Sequence, residues 1–346
     1  DGTLWVGGGG GLDRFDRTAG TFTHVDTRGQ VFAIAEDSDG TLWVGFWHGL
    51  YGYDRATNEV IHAAQPNAGA PGDWRARSLE DAVLAIQEDR AGDLWLGTPV
   101  GLYRLDRSSG TFEHFRADPH DPGSLGGDSI QAIVEDHRGD LWIATYGRGL
   151  NRLDPSSGRI QRYRHDPGDP QSLGSDEVLS LLEDSAGVLW IGTAEGLDCF
   201  DPAQARFEHY RAAPQERTDP QEPNSLSDDT ITALFEDRAG VLWVGTANGL
   251  NKYNRRGDPF ARYRRQPDPP AAPSYTVEYP GLGQDPQPAI LSDEKVLALH
   301  EDRDGVLWIG TLDGGLNRLD RGAGTLTVYR HDPEDATSLS SNMVSA

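Results

Sequence analysis

The residues most able to do chemistry recur on a fixed spacing. Glu-Asp pairs stand at Glu36-Asp37, Glu88-Asp89, Glu135-Asp136, Glu183-Asp184, Glu236-Asp237 and Glu301-Asp302. Gathered round one axis, they would offer a ring of oxygen ligands to a hard cation. Each Asp is also followed three residues later by Gly, and an Asp that opens a tight turn accepts backbone N–H bonds, which is the stronger reading. Four of the ten histidines, His24, His62, His114 and His209, share one equivalent position, and His300 stands apart. No Ser/His/Asp arrangement, phosphate loop or paired-carboxylate motif rises above the repetition. The expectation is therefore no catalytic residue, no metal site and no cofactor.

Composition narrows the rest. The 346 residues carry 31 Lys+Arg against 55 Asp+Glu, a net charge of −24, which repels phosphate backbones and anionic headgroups. Nucleic acid is excluded as a partner. No run approaches the ~18 apolar residues that a membrane crossing needs, so no membrane contact is expected within this region. The single Cys199 has no internal disulfide partner, and no Cys/His cluster has zinc-ligand spacing. Gly and Pro fill 63 of 346 positions, about 18% against a usual ~12%, which calls for many turns. The chain opens on Asp1 with no charged-then-apolar leader, as expected of a mature or excised piece.

The elements that position these residues follow from a repeat. Leu-Trp recurs at Trp5, Trp43, Trp95, Trp142, Trp190, Trp243 and Trp308, with a Glu seven residues before the last six and a Gly-Leu pair seven or eight after. Each unit reads as four short strands, such as VLAIQE, LWLGT, GLYRL and TFEHF, and none has helical periodicity. The third residue of each first strand is Ala or Ser, small enough for neighbouring sheets to approach at a crowded centre. Four-stranded units with a period near 50 predict a seven-bladed all-β propeller of antiparallel blades. One domain, 1–346, is expected, with blades near 1–28 plus 342–346, 31–63, 82–116, 129–164, 177–211, 230–264 and 295–330. Val344-Ser345-Ala346 matches Val296-Leu297-Ala298, and Asp1-Gly2 matches Asp304-Gly305, so N- and C-terminal strands should close one blade together. Five residues of the period fall between Ala346 and Asp1, consistent with a piece of a longer polypeptide.

Copies such as SIQAIVEDHRGDLWIATYGRGLNRLDPSSGRIQRYRHDPGDPQSL at 129–173 resemble the two-component regulator propeller repeat. The resemblance implies the sensor region, periplasmic or extracellular, of membrane-bound bacterial histidine kinases, hybrid kinases or diguanylate cyclases, and ligands of the oligosaccharide class. It implies signal output from parts that this region does not carry.

Alternating strand directions put the turns after first and third strands on one face and those after second and fourth strands on the other. The first set is uniform and the second varies, and variation on a repeating scaffold marks a binding face. The ligand-binding candidates are Trp47, His48, Tyr146, Arg148, Glu195, Asn248 and Asp313. Aromatic faces stack on sugar C–H patches, and Arg, Asp, Glu and Asn bond vicinal hydroxyls. Trp74, Tyr275 and Tyr279 lie in insertions that could form a rim. With strands ~4.8 Å apart, the equivalent histidines fall roughly 15–20 Å from one another and share no metal. The function expected is noncatalytic ligand sensing, with a small-molecule ligand and a homodimer as partners. The alternatives are a metal-dependent propeller lyase centred on His300 and a protein-interaction or dimerisation scaffold.

Overall fold

Short apolar strands separated by Gly-bearing turns satisfy their backbone by pairing up and down with their sequence neighbours. The computed structural model describes residues 2–26, 28–54, 59–62, 81–202, 205–212, 225–254, 258–265, 275–278 and 291–346, with the backbone alone at 54, 59–62, 254, 258–265 and 275–278. It is an all-β propeller of seven antiparallel blades. Blade 1 holds Leu4–Gly8, Gly11–Asp16 and Thr21–Asp26. Blade 2 runs from Val31–Glu36 to Glu59–His62, blade 3 from Ala85–Glu88 to Thr111–Phe115, and blade 4 from Ile130–Glu135 to Arg159–Tyr163. Blades 5, 6 and 7 run from Val178–Glu183 to Arg206–Tyr210, Ile231–Glu236 to Tyr275–Glu278, and Val296–Glu301 to Thr325–Tyr329.

Two blades depart from the four-strand expectation. Blade 1 has three full strands, and its innermost position is taken by the C-terminal residues: Val344 bridges Gly8, and Gly7 N–H donates to Ala346 O at 2.8 Å. Blade 6 has five strands, because Tyr275–Glu278 adds to the edge of Asp258–Arg265.

The apolar cores lie between blades. Trp243 and Leu250 of blade 6, for example, pack on Leu307, Ile309 and Leu319 of blade 7. Every residue of the second strand is buried in blades 2 to 7. Close approach needs small residues. A Cβ at Gly245 would lie 2.7 Å from Val296 Cγ1 of the next blade and 3.2 Å from the Ala233 Cβ beside it. The small third residue of the innermost strand thus serves inter-blade contact. A β-bulge just before it, as between Ile231 and Ala233, recurs in blades 2, 4, 5, 6 and 7.

Candidate functional site

On the uniform face the two acids of each pair do different work. Asp37, Asp89, Asp136, Asp184, Asp237 and Asp302 each accept the indole N–H of their own blade's tryptophan, at 2.5 to 2.9 Å. The other carboxylate oxygen accepts turn N–H groups, as Asp237 does from Ala239 and Val241 at 2.9 and 3.0 Å. The Gly that ends the turn takes a left-handed φ, +76° at Gly240, where L side chains are strained. The preceding Glu instead reaches the turn of the blade before it. Glu88 accepts from Ser38, Glu135 from Arg90, Glu236 from Ser185 and Glu301 from Arg238, and Glu183 pairs with His137 Nδ1 at 2.6 Å. These carboxylates latch the ring. Among the described residues no group of three or more His, Cys, Asp or Glu could hold a metal ion.

The equivalent histidines serve the outer strands. His24 and His209 bond the buried Asp13 and Asp198 through Nδ1, at 2.7 and 2.6 Å, while His114 stacks on Tyr103 at 3.9 Å. The His62 side chain lies outside the description. His300 lines a cavity of about 490 Å³ bounded by the innermost strands, with Leu181, Leu234 and Leu299 among its walls. Its pKa is lowered, first by the surrounding protein and then by Arg17 and Arg238, against the opposing pull of Asp302.

Sequence reasoning missed the clamp built around Asp13 and Asp198. In blades 1 and 4 to 7 the Asp or Asn after the Gly-Leu pair accepts a backbone N–H from the connector that enters the same blade. Asp13 accepts from Ser340, Asn151 from Gly126, Asp198 from Gly174, Asn251 from Ser227 and Asn317 from Ser292, at 2.7 to 2.9 Å. An Asn amide then donates to nearby oxygens, as Asn251 does to Ser227 Oγ and Val244 O. A buried Asp has no such donor, and in these two blades a histidine of the adjacent strand, His24 or His209, faces it instead. The available signal was the pairing of Asp with His, residue by residue, across adjacent strands.

The seven predicted ligand residues all fall in loops between second and third strands, on one face of five blades. Trp47 and Tyr146 are 69% and 52% exposed. Six of the repeat tryptophans, from Trp43 to Trp308, are 3% exposed or less. His48 sits beside Phe46 and Tyr51, ring centroids 5.6 and 5.4 Å away, and its buried Nδ1 has no hydrogen-bond partner. Arg148, Glu195 and Asp313 are exposed, and Asn248 is half-buried. Asp313 N–H donates to Asp293 at 2.8 Å. The ring sets these residues side by side along its rim, and none is among the described residues lining the central cavity. Trp74 and Tyr279 lie outside the described residues, and Tyr275 opens the fifth strand of blade 6.

Several solved structures share this architecture. The extracellular domain of a hybrid two-component system of B. thetaiotaomicron superposes with a TM-score of 0.64 at 20% identity, over 90% of this chain and 36% of that one. PorZ, a surface component of the type-IX secretion system of Porphyromonas gingivalis, gives 0.59 at 16%, over 99% and 48%. Virginiamycin B lyase of Staphylococcus aureus gives 0.57 at 14%, over 86% and 83%. At these identities the likeness is one of fold. The chain spans about a third to a half of the length of the first two. No curated protein matches it. The profile of the two-component regulator propeller matches residues 27–48, 78–99, 124–147, 172–195, 225–248 and 290–313, each covering an innermost strand and the tryptophan strand after it. With six tandem matches on a seven-bladed ring, the chain belongs to the two-component regulator propeller family.

Proposed function

We propose that this chain is the noncatalytic, ligand-sensing propeller of a two-component-type receptor, placed on the extracytoplasmic side of a bacterial membrane, and that it binds an oligosaccharide on its variable face. The observation that carries the reading is the pair of exposed rings, Trp47 and Tyr146, the two large aromatic side chains that stand exposed among the described residues. Each has a hydrogen-bonding neighbour, His48 or Arg148, suited to hydroxyl groups. Placement outside the cytoplasm draws on the family and on the extracellular relative of similar fold. Two such propellers pairing as a homodimer would pass a change at this face to attached output parts, and light scattering with and without ligand tests that pairing.

The binding claim is tested by titrating an oligosaccharide panel calorimetrically against the wild type and Trp47→Ala/Tyr146→Ala. Binding that the double variant abolishes supports the reading. Binding that survives it, or no binding across the panel, removes it. The lyase alternative has a shared fold and one channel histidine behind it. It would be revived by a bound metal on elemental analysis together with turnover that His300→Ala abolishes.

A further inference from the structure

In six of the seven blades the residue after the second strand is fixed on the variable face by the same backbone bond. The N–H groups of Gly9, Trp47, Tyr146, Ala194, Ala247 and Leu312 donate to the carbonyls of Met343, Gln30, Ser129, Glu177, Thr230 and Lys295, each the residue just before an innermost strand. Blade 3 puts Pro99 there, which has no N–H to give. Round the ring the position reads Gly, Trp, Pro, Tyr, Ala, Ala, Leu. The aromatic and ring-bearing members are confined to blades 2, 3 and 4. Val100, beside Pro99, is 36% exposed, so three of the four exposed large apolar side chains among the described residues lie on this one arc. The fourth, Val328, is on the outermost strand of blade 7.

The ring sets the length of that arc. Strands spaced ~4.8 Å apart outward from the centre place the second-to-third-strand loops roughly 13 Å from the axis. Two steps of a seven-fold ring turn through about 100°, so on that strand spacing Trp47 and Tyr146 stand about 20 Å apart, a distance that an extended saccharide chain covers and a disaccharide does not. A monosaccharide or disaccharide on one ring leaves the other bare. Each end also has its own polar side chain, His48 by Trp47 and Arg148 by Tyr146, while Pro99 and Val100 between them present an apolar floor. We infer that the rim of blades 2 to 4 is a track for a linear saccharide of at least four units, lying along the ring and not across its central opening. This rests on the carbohydrate reading above and adds to it the size and direction of the ligand.

The test uses ladders of two to six units in the β-1,4-glucan, α-1,4-glucan and β-1,3-glucan series, titrated calorimetrically against the whole chain. In a series that binds, affinity should rise at least tenfold from two units to four and less than twofold from four to six. Trp47→Ala should bring the hexasaccharide down to the disaccharide level, and Trp47→Phe should recover most of the loss. The Trp47 side chain is exposed, so these variants keep the fold, and circular dichroism checks that. Equal affinity for disaccharide and hexasaccharide, or a length gain that Trp47→Ala leaves in place, overturns the track while leaving carbohydrate binding standing. Absence of binding at every length in all three series overturns the carbohydrate reading and the track with it.

Discussion

Removing the His209 imidazole should reveal how a buried carboxylate is held at the seam between blades 4 and 5. Both ring nitrogens face acceptors: Nδ1 meets Asp198 Oδ1 at 2.6 Å and Nε2 meets Pro170 O at 3.1 Å. Only an imidazolium donates to both. The Asp198 side chain is fully buried and His209 is 23% exposed, so solvent screens little of the interaction. Hydrogen bonds to charged groups are worth ~1.5–3 kcal/mol and neutral ones about 1, so His209→Ala should cost about 2–4 kcal/mol. Asp198→Asn recreates the amide found at Asn151, Asn251 and Asn317, which needs no cation. In that background His209→Ala should cost only about 1 kcal/mol, leaving a coupling of roughly 1–3 kcal/mol in a double-mutant cycle.

Urea unfolding of the four proteins, followed by circular dichroism and tryptophan fluorescence, gives the cycle. The pH dependence has a definite sign. The bond to Asp198 raises the His209 pKa, burial opposes it, and the rise wins. The stabilisation is therefore complete below the unfolded histidine value of about 6.5 and is lost as pH climbs through the raised folded value. The stability gap between wild type and His209→Ala should shrink as pH rises from the unfolded value of about 6.5 through the raised folded one. A coupling below about 0.5 kcal/mol, or a gap unchanged across that range, refutes the charged clamp.

Three further outcomes follow from the ring. Burial pushes the pKa of Asp302 up, but hydrogen bonds from Trp308, Arg17 and the Val306 N–H outweigh it and the net shift is downward; Asp237 behaves alike with Trp243 and Arg321. Their stabilisation is present above the unfolded Asp value of about 3.9 and is lost as pH falls through the folded value, so Asp302→Asn should narrow its stability deficit in acid melts below about pH 4. Gly245→Ala forces a methyl against Val296 and should cost about 1–3 kcal/mol in thermal unfolding, whereas blade 4 carries Ala144 at the equivalent place, fully buried, and tolerates it. Trp47→Ala and Tyr146→Ala remove exposed side chains and should each leave stability within about 0.5 kcal/mol, measured in the same melts.

How much of this was legible in the sequence depends on whether a contact is local to the repeat. Trp, Gly-Leu and the D-x-x-G turn recur at fixed offsets, so the blades, their number and the shared blade at the ends could be read directly. Neighbouring residues misled where strand geometry separates them. Glu236 and Asp237 look like one acidic pair, yet Asp237 turns to Trp243 of its own blade and Glu236 crosses to Ser185 of the blade before, 51 residues away. The clamp was hidden for a different reason: its two ends stand a regular 24 or 25 residues apart in blades 4 to 7, but the donor is a backbone N–H, carried by Gly or Ser, that no side chain marks. The strand Tyr275–Glu278 sits inside an insertion that has no counterpart in other blades, and its partner strand is the only thing that defines it. The candidate site was visible as a set of exceptions, because Trp47 and Tyr146 are large where the repeat allows small residues. Their separation was not visible, since it belongs to the ring. A period gives the order of blades, and only closure into seven turns that order into a distance that a ligand can measure.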